Sequence, residues 1–419
     1  MDKVILHVDL NNFYASVECI KNPEIKDLPV VVCGNPELRH GVVLAKNQIA
    51  KLAGVKTGDT ILEAERKCKG LIKVPPNFDD YIKYSKAVRE IYYSYTDRIE
   101  TFGLDECWLD VTGSQKLFGN GEQIADKIRK DVREKTGLTV SVGVSFTKVF
   151  AKLGSDMKKP DATTVISKEN YKQKIWNLPV QELLYIGKKT CEKLKRLQIR
   201  TIGDLANASV KDLTFHFGKI GVDMHNNANG IENYGDVLVF DQKTPVKSVG
   251  NGMTTKRDMA TDEDVKTVIY YLAESVSSRL RSYGFLAGGV SVNMRSNDLS
   301  SFVRQKSLPT PTNLADDIAR ACFEIFKQNY SLATMRPLRT ITIATHDLIS
   351  ENGAFQTSFL YDEVINEKAE LGKSIDKIRH RFGNSSLFKA GFIDNDLIGE
   401  INNLDEQMLP FEKGNRTKN

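Results

Sequence analysis

Asp105 and Glu106 sit side by side in the segment RIETFGLDECWLDVTG (98–113), and Asp9 ends the apolar run KVILHVD (3–9). A short apolar run that stops at an acid reads as a buried strand delivering a carboxylate at its tip. The segment holding Asp105 and Glu106 reads as an antiparallel hairpin with its acids at the turn. Neighbours in a regular strand point to opposite faces, but the twist at a hairpin end lets both reach one place. Three carboxylates gathered there repel unless divalent cations neutralise them. Two metal ions roughly 3.5–4 Å apart are the usual arrangement for in-line phosphoryl transfer. One activates an attacking 3′-oxygen, and the other holds a triphosphate and its leaving pyrophosphate. By spacing alone, an Asp-Glu pair in a turn is more often a solvated corner.

The remaining composition narrows the chemistry. The six cysteines are scattered singly without CxxC pairs, and the six histidines form no HExxH or HxxxH pair. That argues against zinc and against a disulfide framework, and favours a reducing, cytoplasmic compartment. Any metal then sits on carboxylates, which suits Mg2+ or Mn2+. No apolar run is long enough to span a membrane. Asp9 interrupts the N-terminal apolar stretch and no small-residue cleavage site follows, which argues against a signal peptide. The net charge of +5 permits an anionic partner.

A chain of 419 residues is too long for one core, so two to four domains are expected. After the first strand, 12–20 reads as helix, 29–34 and 41–46 as strands, and 47–53 as a helix closed by Gly54. A long helix over 78–95 leads into the acidic hairpin. A helix at 121–136, a strand at 138–145 and a helix at 148–157 capped by Thr147 follow. That order is expected to build a ferredoxin-like sheet with helices on one face. From 166 to 235 the pattern is all-helical. Beyond a polar connection at 236–246 a second β-α-β-β-α-β block runs to 346, and the polar remainder, 347–419, holds one helix near 362–382.

With these elements in place, three segments resemble the motifs of the Y-family DNA polymerases in family order and spacing: HVDLNNFYASVE, LDECWLDVTGS and GVSFTKVFAKLGSDMKKP. The likeness, to UmuC- and DinB-like members, runs from residue 1 to about 346. It implies an α+β right-hand polymerase: a ferredoxin-like palm (1–17 and 77–165), small fingers (18–76), a helical thumb (166–235), a linker (236–246), a little finger (247–346) and a C-terminal tail (347–419). The activity implied is low-fidelity, translesion DNA synthesis from deoxynucleoside triphosphates on a primer–template, with two Mg2+ ions as cofactors and Mn2+ as a substitute.

Carried over by position, Asp9, Asp105 and Glu106 match the metal-binding acids, with the Leu10 backbone carbonyl as a further ligand. Tyr14, beside Phe13, matches the steric gate, a ring in the space a ribose 2′-OH needs. Lys159 matches the lysine that contacts the phosphates. Asn11 stands where many members have a second aspartate. Ala45, Gln48 and Lys51 stand where many have Thr, Tyr and Arg, a pattern nearer to UmuC and its plasmid and phage relatives such as UvrX. Lys51 keeps the charge but loses the bidentate fork of Arg.

The turn Ile186-Gly187-Lys188-Lys189 resembles the hairpin of a helix-hairpin-helix, whose backbone amides hold a phosphate without reading sequence. Taken alone it is an ordinary lysine-rich turn. Lys247, Arg257, Arg295, Arg304 and Arg339 lie on or near strands of the last block and are candidate duplex contacts. Gln356, Phe359 and Leu360, and secondarily Gln407, Leu409 and Phe411, resemble the bacterial sliding-clamp peptide. A monomeric catalytic chain is expected. Two other readings are an inactive DNA- and clamp-binding adaptor of the same fold, and a nucleotidyl cyclase; the latter leaves the helix-hairpin-helix without a role.

Overall fold

The computed structural model describes residues 2–35, 41–239, 246–351, 362–383, 386–393 and 395–398. They fall into two units, the first comprising 2–34 and 42–239 and the second built on residues from 246 onward. No helix among the described residues is long and apolar enough to cross a membrane.

The first unit opens with β1 (Ile5–Leu10), α1 (Phe13–Lys21), β2 (Val30–Cys33), β3 (Val43–Lys46), α2 (Gln48–Leu52), α3 (Ile61–Lys67) and β4 (Ile72–Val74). It continues with α4 (Phe78–Tyr93), β5 (Ile99–Phe102), β6 (Glu106–Asp110), α5 (Gln115–Phe118), α6 (Gly121–Thr136), β7 (Val140–Ser145), α7 (Lys148–Met157) and β8 (Thr163–Val165). A five-stranded sheet has the order β5-β6-β1-β7-β8. Its first four strands have the ferredoxin-like order, with β1 antiparallel to both neighbours. All six residues of β1 are buried, as are all six of β7. Strands buried on both faces need a cover on each.

The covers differ. Leu6, Val8 and Leu10 point into a core shared with Tyr81 and Val88 of α4 and with Ile124 and Ile128 of α6. Ile5, His7 and Asp9 point the other way, where Ile5 packs with Ala151 of α7. Helices therefore lie on both faces of this sheet, not on one as its element order suggested. The reason is α7, seven of whose ten residues are buried.

A smaller sheet, β3-β2-β4, packs with α2 and α3 around Val31, Val43, Ala50 and Ile61. The helix α3 went unread in the sequence although Thr60 and Glu63 form a complete capping box before it. Five short helices follow, α8 (Tyr171–Ile175), α9 (Lys188–Arg196), α10 (Ile202–Asn207), α11 (Val210–Phe217) and α12 (Lys219–Ala228), around Leu183, Leu194, Ile202, Leu205 and Leu213.

The second unit comprises β9 (Val249–Met259), α13 (Asp262–Tyr283), β10 (Phe285–Ser296), β11 (Ser301–Thr312), α14 (Ala315–Asn329) and β12 (Leu338–Ser350), then α15 (Asp362–Phe382). Its sheet order is β11-β10-β12-β9, so the repeated β-α-β-β-α-β sequence is wound differently from the first sheet. Val290, Val292, Ile341 and Ile343 face α13 and α14 through Leu272, Val276, Ile318 and Phe326. The opposite face alternates with them and carries small polar side chains, with Thr254, Thr340 and Arg295 in one cross-strand row.

Candidate active site

Asp9 and Glu106 are directly opposite each other across the β1–β6 ladder. Residues paired in this way share a face with Cβ atoms about 5 Å apart. Asp105 lies one residue before β6, in the turn Gly103–Asp105, so it escapes the strand alternation that would turn it away from Glu106. Gly103 supplies the turn's positive φ of 88°. That turn is held at both sides. The Leu10 amide donates to the Asp105 carbonyl at 2.9 Å. From α4, Arg89 Nη2 donates to the Gly103 carbonyl at 3.0 Å and the Ser85 hydroxyl donates to the Leu104 carbonyl.

Asp105 lies within the electrostatic reach of Asp9 and Glu106, and Asp9 within that of Glu106. Burial, and then the negative charges of Asp9 and Glu106, push the Asp105 carboxyl up to about 6. Burial likewise raises Asp9, against the pull of Lys159 and Lys152. Burial works the same way on Glu106, but there His7 and Lys152 outweigh it and hold the carboxyl down at about 2. Hard carboxylate oxygens under mutual repulsion suit Mg2+ or Mn2+ in chemistry. Among the described residues, no three Asp, Glu, His or Cys side chains are already gathered as a ligand cluster. Lysines bridge the acids instead.

Those lysines come from α7 and the segment behind it. Lys152 Nζ lies 2.8 Å from Glu106 Oε2 and 3.3 Å from Asp9 Oδ2. Lys159 Nζ lies 2.7 Å from Asp9 Oδ2 and 2.8 Å from Asp156 Oδ1. The sequence pointed to Lys159 but not to Lys152, Asp156, His7 or Ser155. The fully buried His7 places Nε2 3.1 Å from Glu106 Oε2 and Nδ1 2.8 Å from the Ser155 hydroxyl. The signal was present: 148, 152 and 155 recur at helical spacing along one face of α7, with Lys159 just beyond its end, and His7 shares strand parity with Asp9.

Tyr14 lies on α1 next to the acids. Its ring stacks on Tyr81 at 4.3 Å and 12° and meets Phe78 edge-on at 5.9 Å. Burial, and then the Asp105 charge, raise its phenol to about 12. Phe13 is buried in the core beside it. Asn11 turns away from the acids: its side chain bonds Thr139 and Ser141 on the β7 side. Ala45 on β3 packs against the core of the five-stranded sheet, while Gln48 and the exposed Lys51 lie on α2. No hydrogen bond or ion pair joins either of these α2 side chains to the acids among the described residues.

The remaining candidates separate. Ile186 is buried and Gly187 caps α9, with Lys188 and Lys189 exposed at its first turn. Gly187 has an extended φ of −77°, and a Cβ there would meet nothing within 4 Å among the described residues. The five basic residues of the second unit do not share one sheet face. Arg295 is exposed on the face away from the helices. Arg304 pairs with Val292, on the helix side of the edge strand, and lies over the Phe302 ring at 5.0 Å. Arg257 is turned to α13, 3.0 Å from Asp264 and 2.7 Å from Asp396. Lys247 is exposed just before β9, and Arg339 sits at a register shift in β12. Both clamp-like peptides, Gln356–Leu360 and Gln407–Phe411, lie outside the described residues.

The impB/mucB/samB family matches residues 8–156, and the C-terminal domain of that family matches 246–359. A protein of Acetivibrio thermocellus named DNA polymerase IV is 47% identical, over 92% of this chain and 96% of its own length. DNA polymerase IV of Clostridium kluyveri is 35% identical over 93% and 98%, and DNA polymerase IV 2 of Bacillus subtilis is 35% identical over 93% and 94%. Among solved structures, a Y-family DNA polymerase chimera of Dbh and Dpo4 superposes with a TM-score of 0.74 at 24% identity, over 83% of this chain and 99% of that one.

Proposed function

Because the chain belongs to the Y family of translesion DNA polymerases, we propose that Asp9, Asp105 and Glu106 are the acids that hold its two Mg2+ ions, with the Leu10 carbonyl as a further ligand. The protein is a template-directed, low-fidelity DNA polymerase. The observation that carries the site assignment is the pairing of Asp9 with Glu106 across β1 and β6, with Asp105 in the turn beside them. An inactive adaptor would have no need of three acids brought to one end of a sheet, and nothing favours that reading.

When bound, the two ions activate the primer 3′-oxygen and neutralise the triphosphate charge. The chain's own residues then do the positioning. Lys159 and Lys152 already span the space between the acids and α7. Lys159 exchanges Asp9 for a phosphate oxygen when the nucleotide enters. Tyr14 fills the space beside the sugar 2′ carbon, backed by Tyr81. Gln48 and Lys51 reach the triphosphate from α2. Ile186–Lys189 and the open sheet face bearing Arg295 follow the DNA backbone, with Lys247 and Arg339 at the face's edges.

In this reading residues 1–17 and 77–165 form the palm, 18–76 the fingers, 166–235 the thumb, 236–246 the linker and 247–346 the little finger. The chain works as a monomer in the cytoplasm and engages a sliding clamp through Gln356–Leu360. Primer extension with Mg2+ and four deoxynucleoside triphosphates is the test. Wild type extends the primer and Asp105→Ala does not; extension by the variant at the wild-type rate overturns the assignment.

A further inference from the structure

We propose that His7 is a positioning residue for Glu106, fixing which carboxylate oxygen is turned toward the incoming cation. The inference rests on the reading of Glu106 as a metal-binding acid. His7 is fully buried, and both ring nitrogens are engaged: Nδ1 is 2.8 Å from Ser155 Oγ and Nε2 is 3.1 Å from Glu106 Oε2. The ring is also held in plane. Trp108 meets it edge-on at 5.2 Å, and the indole N–H is itself anchored on the Lys148 carbonyl at 2.9 Å.

The donors and acceptors define a direction. A carboxylate has no hydrogen to give, so Nε2 carries the ring hydrogen and donates to Glu106. Nδ1 is then an acceptor, and the hydroxyl of Ser155, buried on α7, is the donor that faces it. The same hydroxyl is also placed to donate to the Lys152 carbonyl at 2.8 Å, so its single hydrogen is shared between two acceptors. The Glu106 carboxylate therefore selects the His7 tautomer, Ser155 steadies the ring at Nδ1, and His7 aims the carboxylate. Oε2 receives both His7 and Lys152, while Oε1 of Glu106 has no hydrogen bond among the described residues. A carboxylate held by one oxygen presents the other in a fixed direction. Groups that orient ligating side chains in this way are worth about 10–100-fold in metal affinity or activity.

The test uses the full-length protein and Mn2+ as the probe. Calorimetric Mn2+ binding, kcat and KM for the nucleotide, and thermal melting are measured for wild type, His7→Leu, His7→Gln, Ser155→Ala and Glu106→Gln. His7→Leu removes the donor; Gln carries an amide N–H near the Nε2 position. The expected result is weaker Mn2+ binding and a lower kcat in His7→Leu, each by about 10–100-fold, with KM changed less than about twofold. His7→Gln recovers most of the loss. If His7→Leu does not fold, Ser155→Ala decides: a fall of severalfold in the same two readouts supports the proposal, and wild-type values overturn it. A folded His7→Leu with wild-type Mn2+ binding and kcat also overturns it, as does a His7→Gln no better than His7→Leu. Glu106→Gln separates the two levels. If that variant binds Mn2+ and extends primers normally, the metal-binding reading of Glu106 has failed. If it is inactive while His7→Leu is normal, only the role of His7 has failed.

Discussion

Asp9 on β1 and Glu106 on β6 face each other across one ladder, and Lys152 Nζ lies between them at 3.3 and 2.8 Å. The lysine's own ammonium is stabilised by Asp9, Glu106 and Asp156 against the cost of its burial. Removing one partner of a buried charge set leaves the others uncompensated, which costs about 3–5 kcal/mol. Lys152→Ala therefore lowers the melting temperature in EDTA. Because the freed carboxylates then attract a divalent cation more strongly, Mg2+ raises the melting temperature of the variant more than that of wild type. Equal Mg2+ shifts in the two proteins would show that Lys152 does not balance these acids.

The fold was largely legible because its signals are local. Apolar runs marked β1 and β7, Thr147 marked the start of α7, and Gly54 the end of α2. The convergence of Asp9, Asp105 and Glu106 at one end of the sheet, with Tyr14 on the helix that follows β1, was legible in the apolar run and the hairpin. What was not legible is the side of the sheet on which α7 lies. Element order is compatible with a helix on either face, and only the burial of Ile5, His7 and Asp9 against α7 decides it. Helical spacing and strand parity group His7 with Asp9 and Lys152 with Ser155, but only that choice of face brings the two groups together. The second sheet shows the same limit. Alternation within β11 cannot say which parity faces the helices, so Arg304 was grouped with Arg295 although the two lie on opposite faces.

Tyr14 stacks on Tyr81, whose hydroxyl donates to Glu18 at 2.7 Å, so the ring proposed as the gate is held by a chain of α1 and α4 side chains. Tyr14→Ala opens the space beside the sugar and raises ribonucleotide over deoxynucleotide incorporation, by on the order of 10–100-fold. Tyr81→Phe keeps the stack and loses only the anchor to Glu18, so it leaves discrimination within a few-fold. Steady-state incorporation opposite one template base with each nucleotide measures both; unchanged discrimination in Tyr14→Ala removes it as the gate.

Arg257 is a structural residue of the second unit. Burial pushes the Asp264 carboxyl up, but Arg257 and the Ala260 and Thr261 amides outweigh it and hold it at about 2. Its folded-state value thus lies below the ordinary value of about 3.9. The sign follows: the stabilisation, on the order of 1–2 kcal/mol, is present above about pH 4 and is lost as pH falls toward 2. Urea unfolding of wild type and Asp264→Asn differs most near pH 7, and the gap shrinks by pH 3. A gap that is constant with pH excludes the ion pair as its source. Arg257→Ala lowers the urea midpoint at pH 7 as well.

Gly187 offers a cleaner separation of fold from function. Among the described residues nothing demands a glycine there, since its φ of −77° suits any residue and a Cβ would meet none of their atoms within 4 Å. As an N-cap change, Gly187→Ala costs about 1 kcal/mol or less. If the α9 amides receive a DNA phosphate, the added methyl stands where the DNA backbone approaches, and affinity falls with little change in melting temperature. Lys188→Ala and Lys189→Ala act differently, through charge. Each lost phosphate contact reduces the slope of log K against log salt by about 0.9 on duplex DNA. Fluorescence anisotropy on a primer–template from 50 to 300 mM salt reads both effects. Arg295→Ala is expected to join the lysine variants in this assay, whereas Arg257→Ala keeps the wild-type slope because its guanidinium is held by Asp264 and Asp396. The reverse ordering of those two arginines would place the DNA on the helix side of the second sheet rather than on its open face.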